Sequence, residues 1–475
     1  MRRGPAVHSI VAAAAVAAAA LILGVELLAP PLIGLADNGD FEKVMGPVGL
    51  QYRETSFEAK YYRYVVEDFA LVAPGWYQSG YRTSEILVAG LARRVGMIWS
   101  PHGPFDIRVL GAIHILLFLA ALLLLLAACR DLAPAAQGAA AVLVVLFFTD
   151  VGYAGPFNSF YSQAASLLFL LLTVGAGALA IARGRLAGGL LIVYFLGAAL
   201  FVASKPQESI QGPLLAALGL RLSAAPPQSA WRRPAAWLAA ALCAFSLWYY
   251  RQAPEDSIRR MGLFHSFFME LLPNSPDPGR DLDELGLDRG LLRYTGVNAF
   301  APGTPIADPA FAARFFDRFG YGSLVRFYLA HPARLMDRLH RGAPSALRLR
   351  TWRLGNYTAA SGFAPRTMTT HFAWWSDLRL GLSGVADAWL LCLLGGTVAA
   401  CALGYRHAPR RGRLFREGLC LLVLLAAVEY LVCALADHLG DLPRHLYVFQ
   451  ALCDLILVAD AAWIVQSLSR AETTS

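Results

Sequence analysis

Ten apolar runs recur along this chain, most of them long enough to cross a bilayer, and that repetition leaves few folds open. They cover roughly 9–35, 106–129, 135–154, 160–182, 187–204, 209–223, 233–250, 384–404, 417–436 and 444–466. A hydrocarbon core about 30 Å thick takes about 20 apolar residues as helix. The run at 209–223 is short. The first run follows Arg2 and Arg3 and has the Ala-rich centre of a signal peptide. It continues to Leu35, which is too long for one, so a retained helix is expected. The expected fold class is an all-α polytopic membrane protein with about ten transmembrane helices.

Composition agrees. Of 475 residues, 57% are hydrophobic and only 16% charged, against about 25% charged in soluble domains. The net charge of +8 does not indicate nucleic acid, because the Arg residues cluster in short loops between apolar runs. Lys43, Lys60 and Lys205 are the only lysines. The seven Cys all lie in or beside apolar segments without a CxxC pair. They read as small hydrophobes, with no disulfide framework and no zinc site.

Positive charge orients the chain. With the N-terminus inside, the inner loops carry Arg130, Arg183 and Arg185, then Arg221, Arg232 and Arg233, then Arg406 to Arg416, and finally Arg470. The short outer loops 155–159, 205–208 and 437–443 hold Lys205 alone among Lys and Arg, together with Glu208, Asp437 and Asp441. Both termini are therefore expected in the cytoplasm of a cell with this protein in its inner or plasma membrane.

Two segments are too polar to span. Residues 36–105 form a first outer loop, whose 51–68 stretch alternates in a way open to strand or amphipathic helix. Residues 251–383 are long enough for a small extracytoplasmic domain of mixed helical segments. This divides the chain into 1–250, 251–383 and 384–475. Within the middle part, 273–279 is a turn cluster. Arg314 to His340 reads as helix interrupted at Ala330-His331-Pro332, with Arg334, Leu335, Arg338 and Leu339 suggesting an amphipathic stretch along the membrane surface.

Under this topology five polar clusters share one face. They are Asp37-Asn38-Gly39-Asp40, 155–163 with Asn158 and Gln163, 204–208 with Lys205 and Gln207, 274–298, and 437–445 with Arg444 and His445. Ionisable groups at a membrane edge usually face a cavity and do chemistry or transport. Each cluster also has a plainer reading. Asp37 and Asp40 can cap a helix end, Asn158 and Gln163 can form a turn, Lys205 can snorkel, and Arg444 with His445 can flank a span. Their joint placement carries more weight than any one of them.

Such a set suits a lipid-linked sugar donor. A carboxylate can act as general base or hold a divalent cation, and Lys, Arg and His grip phosphate. The amides of Asn38, Asn158, Gln163 and Gln207 can bond sugar hydroxyls. Trp76, Trp374 and Trp375 can stack on a sugar or belong to the interfacial aromatic belt.

Residues 36–45, Ala-Asp-Asn-Gly-Asp-Phe-Glu-Lys-Val-Met, resemble the opening motif of WsfD-type glycan-biosynthesis hexosyltransferases, which belong to the multi-spanning GT-C superfamily. Asn158-Ser159-Phe160-Tyr161-Ser162-Gln163 is similar to a second motif of that group, with Gln163 where an acid is common. Asn274 to Pro278 and Asp281 to Leu287 resemble its outer-domain signature. The resemblance implies a GT-C-like fold and inverting transfer of a hexose from a polyprenyl-phosphate donor to a glycan or lipid acceptor outside the cytoplasm. It also implies that an Asp of the first outer loop is the base, which here is Asp37 or Asp40; Asp37, nearer the membrane edge, is slightly preferred. Charge and side assign Lys205, Arg444 and His445 to the donor phosphate. No metal ligand is singled out; a divalent cation is compatible with the site and not required. Two rivals stay open: an O-antigen-ligase-like transferase and a lipid-linked glycan transporter.

Overall fold

The computed structural model describes residues 4–77, 80–101, 103–224, 230–252, 256–351 and 353–474. Arg2 and Arg3 lie outside them. All ten apolar runs are helical over most of their length. Six helices are long and apolar enough to span on their own: Val7–Leu28, Ile107–Ala128, Gln163–Arg183, Ser383–Leu403, Arg410–Ala436 and Tyr447–Glu472. A seventh span exists if Pro134–Phe148 and Val151–Asn158 count as one helix bent by 57°.

The other three expected spans depart from the simple pattern. Gly189–Val202 and Gly212–Ser223 have 14 and 12 residues. At about 1.5 Å per residue neither crosses the hydrocarbon core alone. Arg232–Gln252 is long enough but carries too much polarity. The two short helices pack against each other and against Arg232–Gln252. The connection between them, with Lys205, Glu208 and Gln211, is buried rather than exposed as a surface loop. Irregular backbone at such a depth is tolerated where protein surrounds it.

The first polar segment, 36–105, is not purely helical. Leu50–Tyr52, Asp68–Leu71 and Phe105–Asp106 form a three-stranded antiparallel sheet. Tyr52 pairs with Phe69, and Phe69 with Phe105, so three buried aromatic rings share one face of the sheet. Between the first two strands the chain is mostly turns, with one short helix at Phe57–Lys60. Alternation over 51–68 thus produced a strand only at its two ends.

The second polar segment, 251–383, has its own aromatic core. Phe264, Phe267, Phe268, Phe311, Phe315 and Phe319 pack together, with neighbouring rings 4.6–6.0 Å apart. Of the expected helical stretch 314–340, residues 315–320 are turn and irregular backbone instead, and the rest runs as Tyr321–Ala330 and Pro332–Ala346, broken at His331. Pro332 cannot donate to the preceding turn, which accounts for the break. The arginines of the second helix face ion partners. Arg334 bonds Asp281 at 2.7 Å, and buried Arg338 donates to the Asp437 carbonyl at 2.7 Å.

Candidate active site at the mouth of the helix bundle

The site begins where the first helix ends. Residues 33–37 run extended, and Ala36 N–H donates to Gly355 O while Tyr62 N–H donates to Asp37 O. Asn158 fixes the approach, its Nδ2 donating to Leu27 O at 2.7 Å and Ile33 O at 2.8 Å. It is 1% exposed and serves the backbone.

Asp37 then ties the loop. Its Oδ1 accepts from the N–H groups of Gly39 and Asp40 at 2.8 Å and of Phe41 at 3.1 Å. Its Oδ2 accepts from Tyr52 Oη at 2.7 Å. Gly39 sits at φ +105°, a conformation that L side chains rarely adopt, so the turn needs glycine there. Burial pushes the Asp37 carboxyl up to about 6, although Tyr52 and the backbone amides favour its charged form.

Asp40 is placed differently. Its side chain is 32% exposed, with Oδ1 2.6 Å from Lys43 Nζ and Oδ2 2.7 Å from Arg444 Nη1. Burial opposes ionisation, but Arg444 and Lys43 hold this carboxyl well below the usual range. Asn38 completes the contact. With its amide nitrogen 3.0 Å from Asp40 Oδ2 and 3.1 Å from Tyr161 Oη, its oxygen accepts from Arg444 Nη1 at 2.8 Å. Tyr161 Oη in turn accepts from Asn38 N–H at 2.8 Å and donates to Ala36 O at 3.0 Å.

Arg444 links this loop to the one before the last helix. Its Nη2 donates to Asp441 Oδ2 at 2.7 Å. His445 Nε2 lies 2.7 Å from Asp437 Oδ2 and 3.3 Å from Asp441 Oδ2. Burial would lower the His445 pKa, yet the two carboxylates push it up to about 9, so the ring is charged at neutral pH. Asp437, Asp441 and His445 offer ligand atoms within 4.8 Å of one another, a spacing that suits one cation. As arranged, the proton on His445 and the Arg444 guanidinium already balance both acids. A second trio, His265, Asp437 and His438, has the same spacing, but His265 Nε2 accepts from Ala299 N–H at 3.1 Å.

Lys205 sits nearby with a different status. Only 8% exposed, its ammonium makes no hydrogen bond and no close ion pair among the described residues. Burial lowers its pKa, Arg444 reinforces that, and Glu208 and Glu429 oppose it. Below it Gln207 Nε2 donates to Glu429 Oε1 at 2.7 Å and to His445 O at 3.2 Å. Gln211 Nε2 meets the other Glu429 oxygen at 2.5 Å. Gln163 and Arg444 both line a small cavity of ≈ 30 Å³. That is enough for a water or two, not for a hexose.

Four of the five clusters therefore meet around Asp40 and Arg444. The fifth, 274–298, packs against the aromatic core of the second polar segment and approaches through Asn298, which bonds His265 beside the His438 ring. Trp375 is core: its ring stacks on Phe147 at 4.0 Å and its Nε1 donates to Asp454 Oδ2 at 2.9 Å. Trp76 Nε1 donates to Leu50 O at 2.8 Å, and Trp374 is half exposed. Sequence reasoning gave no role to Lys43, Asp441, Tyr161 or Glu429. The last had a visible signal, a carboxylate inside the apolar run 417–436.

The fold and the site together define a multi-pass helical membrane protein with an ion-paired polar site at one end of its bundle. The sequence matches the YfdI N-terminal transmembrane domain over residues 3–474, and the chain belongs to that family. Among solved structures it is similar to the apo oligosaccharyltransferase of Archaeoglobus fulgidus, at 12% identity and a TM-score of 0.39. That alignment covers 94% of this chain and 50% of the other, so the chain spans about half that protein's length. No curated protein matches it.

Proposed function

We propose that this protein is a GT-C-type membrane glycosyltransferase that moves a hexose from a polyprenyl-phosphate donor to a glycan or lipid acceptor on the extracytoplasmic side. The observation that carries the reading is the pairing of unlike charges at one mouth. A carboxylate with solvent access, Asp40, is paired with Arg444, and the buried Lys205, with no hydrogen bond or close ion pair among the described residues, lies within electrostatic reach of that same Arg444. Membership of a transmembrane-domain family and the resemblance at 36–45 and 158–163 support the same class.

Asp40 is the base in this proposal, and Asp37 builds the loop that presents it. The acceptor hydroxyl attacks the anomeric carbon from the face opposite the phosphate, and its proton passes to Asp40. The bond from the anomeric carbon to the phosphate oxygen breaks, and its electron pair leaves with polyprenyl phosphate. Lys205 and one arm of Arg444 hold the departing charge. His445 acts through Asp437 and Asp441 and keeps the Arg444 loop in place. Donor binding also prepares the base. A phosphate competing for Arg444 withdraws one of the two cations from Asp40, so its basicity rises only when the donor is present.

The test is sugar transfer by the purified chain in lipid with radiolabelled polyprenyl-phosphate hexoses. Asp40→Asn should lower turnover by about 10²–10⁴-fold, and Lys205→Met should weaken donor use while the protein still inserts and melts normally. Full activity in Asp40→Asn would sink the carboxylate mechanism.

A further inference from the structure

At the end of the bundle opposite Asp40 lies a cavity of ≈ 1080 Å³. It lies between the last turn of Ile107–Ala128, the second half of Gln163–Arg183, the Ala140 and Val144 positions of Pro134–Phe148, the first half of Arg410–Ala436, and the final helix. Ordinary small-molecule pockets run to about 300–1,000 Å³, so this one is large. Its interior is aliphatic, built from side chains such as Val144, Leu215, Leu422 and Leu455. Its rim is not. His407, Arg410, Arg411, Arg416 and Arg470 line it, and the one carboxylate among the lining residues, Asp131, pairs with Arg130 at 3.7 Å. Arg410 and Arg411 are exposed. Arg416 lays its guanidinium over Trp463 at 5.0 Å, and its Nε is buried without a hydrogen-bond partner among the described residues.

An apolar interior capped by guanidinium groups matches an amphiphile whose chain enters the cavity and whose anionic head stays at the rim. Arginine forks fit phosphate oxygens in pairs. We propose that this cavity is a binding site for an anionic glycerophospholipid from the leaflet on the 404–416 side. The donor of the transfer reaction does not fit the description. Its phosphate belongs near Lys205 at the other mouth, and one head group cannot serve both ends of a bilayer-spanning bundle. The inference therefore stands apart from the transferase reading.

The experiment is native mass spectrometry of the purified chain in detergent, titrated with phosphatidylglycerol or phosphatidylcholine of matched acyl chains. The wild type should retain phosphatidylglycerol at a concentration lower by at least about tenfold. Arg410→Ala/Arg411→Ala, at exposed positions that should leave folding intact, should erase most of that preference without changing phosphatidylcholine retention. Ala178→Phe, which fills the interior, should weaken both lipids alike. Equal retention of the two lipids by the wild type overturns the proposal. So does a phosphatidylglycerol preference that survives the double variant.

Discussion

Asp37 accepts four hydrogen bonds from its own loop and Tyr52, whereas Asp40 is held by two cations, Lys43 and Arg444, at a solvent-open edge. Removing the first should break the fold locally, and removing the second should break the chemistry. Asp37→Ala leaves three backbone N–H groups and a phenol without an acceptor. Each such group costs about 1–3 kcal/mol, so unfolding in detergent should show a loss of at least ~2 kcal/mol. Asp40→Asn should leave the melting temperature nearly unchanged while transfer is lost. Had the first carboxylate been catalytic, the order of the two stability effects would carry no such split. His445 adds a pH signature. Its folded pKa is raised to about 9, above the ordinary value near 6.5. The stability from its pairs is therefore fully present below about pH 6.5 and lost as pH rises to about 9. The wild-type melting temperature should fall across that window more steeply than that of His445→Gln. Parallel slopes would show that the ring is not charged in the folded protein.

Helix contacts set where these residues stand. Helix Ile107–Ala128 approaches the 155–158 turn so closely that a Cβ on Gly111 would lie 2.1 Å from Asn158 Oδ1. Asn158 has no slack, since its Nδ2 is committed to Leu27 and Ile33. Gly111→Ala should therefore cost about 1–3 kcal/mol by overpacking, and it should lower transfer because Asn158 aims the chain toward Asp37. On an Asn158→Ala background the same change should cost much less. Thermal melts of the two single variants and the double would reveal that non-additivity. Additive effects would mean that Asn158 is not the obstacle. These contacts also mark what was legible beforehand. The apolar runs located the helices, because length and hydropathy are local properties of the chain. Asp37, Asn158 and Asp40 look alike in sequence as polar groups at helix ends. Only the tertiary partners separate the two that satisfy backbone groups from the one that keeps access. The two helices flanking Lys205, expected as full spans joined by a short outer loop, are shorter than that and enclose the connection between them, which was illegible for the same reason. Their burial depends on Arg232–Gln252 packing beside them, which composition does not encode.

For the molecule as a whole, function depends on which face of the membrane holds the mouth at Asp40. Helix directions put residues 36–41, 163, 205 and 437–445 at one end of the bundle and 128–133, 183–188 and 404–416 at the other. The second end is dense in Arg, including Arg406, Arg410, Arg411 and Arg413. Short loops rich in Arg tend to stay cytoplasmic, and the proposed transfer accordingly takes the Asp40 mouth as extracytoplasmic, on the side of lipid-linked rather than nucleotide-linked sugars. The opposite orientation would export every one of those arginines and turn the carboxylate toward the cytoplasm. Impermeant maleimide labelling of intact cells discriminates the two, read against the background of the native cysteines. Ala360→Cys, at an exposed position of the second polar segment, should label without permeabilisation. Arg410→Cys, exposed at the other end, should label only after the membrane is opened. The reverse pattern would leave the ion-paired site intact and remove the polyprenyl-phosphate donor from its reach, because that end would then face the pool of soluble nucleotide sugars.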